Sequence, residues 1–183
     1  MAQGETLVSI PIDGIELEGE SIVPPVGEEL VAFTHGSASS RHSPRKNFVA
    51  ETLRERGLGT LLFDLLTEAE DRDRGTCLDV DLLTEGLPVA DWLRSRDATV
   101  GLRVGSFGSS TGVAGVLRAV GRREDVDAVA SRGGRADVAA ESPGEVTAAT
   151  PFVVGGDDTL VEGPGQLEAV ANAAADWFAE HLE

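Results

Sequence analysis

Residues 108–112 read Gly-Ser-Ser-Thr-Gly and place Ser110 at the centre of the pattern G-x-S-x-G. The apolar run 102–107 before them predicts a strand, and the apolar spacing over 113–120 predicts a helix directly after them. A strained strand-to-helix turn of this kind is a nucleophile elbow, which lifts the serine hydroxyl above a sheet. The alternative is a βα turn without chemistry. A nucleotide-binding loop fits poorly, because the stretch has no lysine and its glycines are not spaced as G-x-G-x-x-G.

Short apolar runs alternate with amphipathic stretches along all 183 residues, which is typical of one α/β domain over 1–183. We expect a doubly wound, mostly parallel sheet with helices on both faces. The predicted strands are 7–12 and 15–23, joined by a hairpin turn, and then 29–34, 60–66, 102–107, 126–130 and 149–154. The predicted helices are one from Ser43-Pro44 to Gly57, one over 80–96 with an interruption at Pro88, the one after the elbow, and a last one from Leu167.

The composition narrows the class of partner. The net charge is −17, with 32 acidic and 15 basic residues, and Lys46 is the only lysine. This charge predicts no nucleic-acid partner and no anionic membrane, and it suggests adaptation to a high-salt cytoplasm, although an acidic protein from ordinary conditions is the alternative. The sequence contains no apolar run long enough for a transmembrane helix, and its first residues do not resemble a signal peptide. With Cys77 alone, no internal disulfide is expected, and we predict a cytoplasmic location.

A serine hydrolase also needs backbone donors for the oxyanion that forms during acyl transfer. One donor follows the nucleophile, and the other comes from the loop after the third strand. The backbone N–H groups of Thr111 and Ser37 have these positions. We expect His35, in the same loop as Ser37, to serve as a structural hydrogen-bonding residue, with catalysis as the alternative.

The joint order of five motifs resembles the dienelactone-hydrolase-like branch of the α/β hydrolases. These motifs are residues 35–37 with 41–45, residues 61–67, the elbow, residues 131–135, and residues 155–158. The resemblance implies a hydrolase of carboxylic esters or lactones that uses a Ser-Asp-His triad and needs no cofactor or metal. Founding members use cysteine at the elbow, where this chain has Ser110, and Cys77 lies in a different region. Some relatives carry a phosphoribosyltransferase domain, which nothing in this chain resembles.

The family spacing implies that Asp158 is the acid of the triad, with Asp157 as the second choice; a turn-capping role for both is the alternative. The histidine should follow the acid, after a further helix and strand. Only 159–161 separate Asp158 from 162–165, which resembles the segment just after that histidine. We therefore expect a sheet truncated near the C-terminus, without its last strand. His42, after the third strand, is the candidate substitute base, while His181 lies deep in the last helix.

Several consequences follow from the missing segment. Strand 149–154 would form an apolar edge, and we expect either a homodimer through that edge or marginal stability there. Three hypotheses about function then remain: an active serine hydrolase, an impaired relative that binds a ligand or partner in the former active-site pocket, or a mis-assembled reading frame.

Two arginines follow the strand predicted at 126–130. Arg132 and Arg135 would hold a substrate carboxylate or, as we prefer, form salt bridges with nearby acidic residues.

Overall fold

A sheet of seven strands runs through the computed structural model, which describes residues 4–12, 15–25, 27–34, 41–64, 88–110, 126–134, 152–153 and 165–182. The strands in these ranges are β1 (Gly4–Ile12), β2 (Ile15–Val23), β3 (Glu29–Thr34), β4 (Gly59–Phe63), β5 (Arg103–Ser110), β6 (Ala128–Gly134) and β7 (Phe152–Val153). The helices are α1 (Pro44–Glu55), α2 (Pro88–Arg94) and α3 (Gln166–His181). In this part of the chain, no helix combines the length and the apolar character needed to cross a bilayer.

The strands are ordered β1-β2-β4-β3-β5-β6-β7. The first two form the predicted antiparallel hairpin, and β2 pairs antiparallel with β4. From β4 to β7 every neighbouring pair is parallel, which confirms the prediction of a mostly parallel sheet. Parallel pairing brings the C-terminal ends of β3 to β7 together, and we call this side of the sheet the carboxyl edge.

Helices cover both faces of the sheet, as the alternating pattern predicted. On one face, α1 and α3 share a buried cluster with strand residues such as Phe33, Leu62 and Phe107. On the other face, Val89 and Leu93 of α2 pack with residues of β1 to β5. The fold is therefore doubly wound.

The bounds of four strands differ from those predicted, and strand pairing explains the differences. Strand β1 begins at Gly4 rather than at residue 7, because Gly4 pairs with Val23 of β2. Strands β5 and β6 each run further than predicted, to Ser110 and Gly134, because each supplies hydrogen-bond partners that extend the other. Strand β4 is shifted, since it pairs with β2 and β3 from Gly59 and ends at Phe63. Helix α2 has Pro88 in its first turn, where a proline costs no hydrogen bond, and the predicted interruption at Pro88 agrees with this. Residues 80–87 lie outside the described ranges, so the predicted start at residue 80 stays a prediction.

The predicted end of α1 is confirmed. Gly57 has φ +88°, in the left-handed region that glycine adopts without strain. The N–H of Leu58 donates to the carbonyl of Leu53, and that of Gly57 donates to the carbonyl of Arg54. These two bonds form a Schellman motif, which ends the helix and turns the chain into β4.

The close packing of α3 on the sheet depends on a glycine. A Cβ on Gly105 of β5 would lie 2.7 Å from Cε1 of Phe178 and 3.0 Å from Cδ1 of Leu182. Both side chains are fully buried, so they have little room to move. The bare backbone at Gly105 therefore sets how near the end of α3 approaches the start of β5.

We expect Gly105→Ala to lower the free energy of unfolding by about 1–3 kcal/mol, because the new methyl group overpacks a dense core. Gly101→Ala is the matched control, since a Cβ there meets no atom within 4 Å. Chemical denaturation of both variants in molar salt measures the difference. Equal stability of the two variants would show that α3 can move away from β5.

Candidate active site

Ser110 is the last residue of β5, and it lies at the carboxyl edge between β3 and β6. The pairing of β5 with β6 is regular up to Ser109 opposite Arg132, and then Ser110 pairs with Gly134. One residue of β6 is therefore skipped beside the serine. Irregularities of this kind are frequent next to active sites, where they re-aim a residue out of the regular ladder. The strand thus carries Ser110 itself, whereas the sequence predicted a turn from residue 108 onward.

The end of β3 lies directly beside the elbow. Thr34 pairs with Gly108, two residues before Ser110, and the Thr34 hydroxyl donates to the carbonyl of Phe107 at 3.4 Å. The chain that follows β3 thus leaves the sheet next to Ser110, as an oxyanion loop requires. Ser37 and Thr111, the predicted oxyanion donors, lie outside the described residues. The same holds for Asp158, Asp157, His35, Cys77, Arg135 and the predicted helix 113–120, so these remain predictions.

Arg41 joins two strands at the carboxyl edge. Its guanidinium forms ion pairs with Asp64, just after β4, and with Glu18 of β2, at 2.6 Å in the latter case. Its backbone N–H also donates to Asp64 at 2.7 Å. Burial acts to lower the pKa of Arg41, but hydrogen bonds and attraction from Glu18 and Asp64 raise it above its ordinary value. The charged arginine therefore holds the turn before α1 against the sheet.

The chain's only lysine, Lys46, is buried in the first turn of α1, with 7% of its surface exposed. It shares the sheet-facing side of the helix with Val49, Ala50 and Leu53. Burial lowers the pKa of Lys46 to about 7, against an opposing attraction from Asp64. Lys46 was not among the residues that the sequence pattern predicted to be buried. It lies three, four and seven residues before Val49, Ala50 and Leu53, and this spacing is the signal that places it on the buried face of the helix.

The two described histidines have different surroundings. His42 is exposed in the turn before α1, next to Arg41, and its predicted role as a substitute base stays a prediction. His181 donates from Nδ1 to the carbonyl of Trp177 at 3.0 Å and stacks on that indole. The end of α3 packs against Gly105, which is five residues from Ser110 along β5, or roughly 17 Å. His181 is therefore remote from the elbow.

Among the described residues, no three His, Cys, Asp or Glu side chains are grouped so that they could hold a metal ion. The structure describes the backbone of Arg132, which pairs with Ser109 and Val153 in the sheet, but not its side chain. Whether it contacts a substrate carboxylate thus stays a prediction.

No protein-family model matches the chain. Solved structures do match, and the crystal structure of the dienelactone hydrolase of Anabaena variabilis has a TM-score of 0.95 and 38% sequence identity, over 99% of each chain. The chain belongs to the dienelactone-hydrolase-like family of the α/β hydrolases. The Butyrivibrio proteoclasticus protein Est1E shares the fold, with a TM-score of 0.76 at 16% identity over 96% of this chain and 98% of its own.

This dienelactone-hydrolase-like chain is also 41% identical, over 204 residues and 96% of its length, to proteins named as candidate phosphoribosyl transferases in two Mycobacterium tuberculosis strains. It spans 46% of those proteins, so it covers less than half of their length. The aligned 204 residues exceed the 183 of the whole chain by 21. The relatives therefore have at least that many internal residues without a counterpart here.

The lowered pKa of Lys46 predicts how stability depends on pH. Between pH 7 and about 10.5 the unfolded chain binds a proton at Lys46 that the folded chain does not, so the free energy of unfolding rises with pH across this window. The slope from this one group is at most about 1.4 kcal/mol per pH unit. The window is unusually clear, because the chain has no tyrosine and one cysteine, Cys77.

Denaturant titrations from pH 6 to 10 in molar salt measure this slope, with Cys77→Ala as the background for all variants. We expect Lys46→Met to remove the rise. A rise of the same size in Lys46→Met would assign it to another group.

Proposed function

We propose that the chain is a serine hydrolase unit for carboxylic esters or lactones, with Ser110 as its nucleophile. The observation that carries the proposal is the position of Ser110 at the end of a central parallel strand, beside a break in register and beside the point where the chain leaves β3. Family membership supports it, since the related Anabaena structure is a dienelactone hydrolase and Est1E has been solved with ferulic acid bound.

In this proposal the Ser110 hydroxyl attacks the ester carbonyl, and the backbone N–H groups of Ser37 and Thr111 receive the oxyanion. Fixed backbone donors stabilise the charge that develops in the transition state without having to reorganise. Asp158 is the proposed acid, whose task is to orient a base and stabilise its charged form. The base is the member of the triad that has no assigned residue: the sequence has three histidines, and His181 is remote from Ser110.

A second candidate function is ligand or partner binding in an impaired hydrolase pocket. It is favoured by one observation: the relatives have internal residues that this chain lacks. A serine without a base is a poor nucleophile, although an oxyanion hole alone retains some rate enhancement. Active-site labelling separates the two functions, because a fluorophosphonate reacts with an activated serine and not with an ordinary one.

The name of the Mycobacterium tuberculosis relatives describes proteins of more than twice the matched length. We attribute no phosphoribosyl transfer to the matched part, because its sheet is that of an α/β hydrolase. We also propose that strand 149–154 mediates a homodimer. Light scattering at high salt tests this, and a stable monomer at micromolar concentration would rule it out.

We expect Ser110→Ala to lower kcat/KM for p-nitrophenyl acetate in molar salt by at least about 100-fold, because the residual rate comes from binding and the oxyanion donors alone. Ser95→Ala is the matched control. Ser95 is an exposed serine beyond α2, whose hydroxyl donates to the carbonyl of Trp92 at 2.7 Å. This control should keep the full rate.

Fluorophosphonate labelling followed by peptide mass mapping gives a second measurement, with adduct expected on the peptide that contains Ser110. Equal hydrolysis by Ser110→Ala and the unmodified protein would remove the nucleophile from the proposal. Hydrolysis absent from both, with no adduct, would favour the binding function.

A further inference from the structure

We propose that Arg41 and Asp64 are positioning residues for the oxyanion donor of Ser37, because together they fix one end of the segment that carries this donor. The proposal rests on the proposed function, in which Ser110 is the nucleophile and the Ser37 N–H receives the oxyanion. It adds two residues that act through the backbone and do not touch the substrate.

The segment 35–40 leaves the sheet beside the nucleophile strand. It follows Thr34, the last residue of β3, which pairs with Gly108 of β5. The Thr34 hydroxyl also donates to the carbonyl of Phe107 at 3.4 Å, so this end of the segment is tied to β5. The segment itself lies outside the described residues, whereas both residues that flank it, Thr34 and Arg41, are described.

The other end of the segment is fixed by Asp64, just after β4. Its Oδ1 accepts the backbone N–H of Arg41 at 2.7 Å, and its Oδ2 pairs with the guanidinium of the same residue. Because both carboxylate oxygens bind one residue, Asp64 fixes the position and the orientation of Arg41 together. Asp64 is itself held against β2, since its N–H donates to the carbonyl of Glu18 at 3.0 Å.

The turn from Arg41 into α1 is held as well. The side-chain Nδ2 of Asn47 donates to the carbonyl of Arg41 at 2.9 Å and to the carbonyl of Ser43 at 3.1 Å. The backbone N–H of Asn47 donates to that Ser43 carbonyl too, at 3.0 Å. Arg41 is therefore bound through its N–H, its carbonyl and its guanidinium, which makes it an anchor for the chain on either side.

The two anchors bear on the oxyanion donor because the segment is short. Ser37 is three residues from Thr34 and four from Arg41 along the chain. An oxyanion donor works only within hydrogen-bond distance of the developing charge, and a misplacement of about 1 Å can lower the rate on the order of 100-fold. Loss of the anchor at Arg41 would thus weaken transition-state stabilisation without removing the Ser110 hydroxyl.

Burial separates the strong tie of Arg41 from the weak one. The side chains of Arg41 and Asp64 are 15% and 21% exposed, whereas that of Glu18 is 75% exposed. Molar salt screens exposed charges over roughly 3 Å but screens partly buried pairs much less. We therefore expect the tie to Asp64 to persist in molar salt and the tie to Glu18 to contribute little.

Steady-state kinetics with p-nitrophenyl acetate in molar salt test the proposal. We expect Asp64→Ala to lower kcat by about 10–100-fold with little change in KM, because an oxyanion donor acts on the transition state rather than on the bound ester. Arg41→Ala keeps the backbone bond to Asp64, so its loss should be smaller, about 3–30-fold. Glu18→Ala should lose least.

Asp176→Ala is the matched control. Asp176 of α3 pairs at 2.5 Å with Arg56, just after the C-terminal end of α1, and both side chains are exposed. The control removes an aspartate bound to an arginine, as Asp64→Ala does, and should keep the full kcat. Each rate is divided by the number of reactive sites, counted from the burst of p-nitrophenol that diethyl p-nitrophenyl phosphate releases. A merely structural role of Asp64 would leave this corrected kcat unchanged.

A second variant covers the case in which Asp64→Ala does not fold. Asp64 also attracts the buried Lys46, so its removal affects α1 as well as Arg41. Arg41→Ala leaves the Asp64 carboxylate in place for Lys46. A corrected kcat of Arg41→Ala equal to that of Asp176→Ala would overturn the proposal.

Hydrogen exchange tests the anchor without an assay of activity. We expect Asp64→Ala to speed exchange of the Arg41 N–H, and of the peptide 35–41, by about tenfold or more, because a charge-assisted hydrogen bond is lost. Asp176→Ala should leave both unchanged. Unchanged exchange in Asp64→Ala would overturn the proposal, since other contacts would then hold this end of the segment.

The outcomes separate the positioning role from the proposed function. If Ser110→Ala is impaired while the corrected kcat of Asp64→Ala equals that of Asp176→Ala, the positioning role falls and Ser110 stands. A higher KM at unchanged kcat in Asp64→Ala would assign Asp64 to substrate binding and would also overturn the positioning role. If Ser110→Ala is as active as the unmodified protein, both proposals fall together.

Discussion

The parallel pairing of β3, β5 and β6 is the constraint on which the rest of the molecule depends. Parallel strands have to be connected by crossovers, so each strand end is followed by chain at the same edge of the sheet. Ser110, at the end of the central strand β5, therefore meets the chain leaving β3 at Thr34 and the irregular end of β6 at Gly134. Ligands bind at this edge in open α/β sheets for the same reason. The order of the strands therefore determines where the site lies, whichever side chains line it.

The basic residues Arg41 and Lys46 lie at the carboxyl edge of this acidic protein, whose net charge is −17. Arg41 ties Asp64 to Glu18 and so joins the ends of β2 and β4, while Lys46 lies under the same turn with its charge partly suppressed by burial.

Predictions from the sequence were best where the signal was local. The hairpin of β1 and β2, strand β3 and the end of α1 at Gly57 followed from turn glycines and apolar periodicity, and all are confirmed. The errors came from interactions between distant segments: β5 reaches Ser110 because Gly134 of β6 supplies its partner, and no window around residue 110 contains that information. The resemblance to dienelactone hydrolases is confirmed by the structural match to the Anabaena enzyme, whereas the oxyanion donors and Asp158 remain predictions.

The sequence by itself determined the fold class, the family and the location of Ser110, because strand and helix periodicities and a five-residue elbow are readable along the chain. The order of residues also shows that His181 is the one histidine after Asp158, so the expectation that the triad histidine is missing comes from the sequence and stays a prediction. Only the tertiary structure decided the state of Lys46. A lysine in a helix reads as a surface residue until α1 is packed on the sheet, since its burial and the attraction from Asp64 arise from segments that are distant in the chain. Its pKa is therefore a property of the folded state.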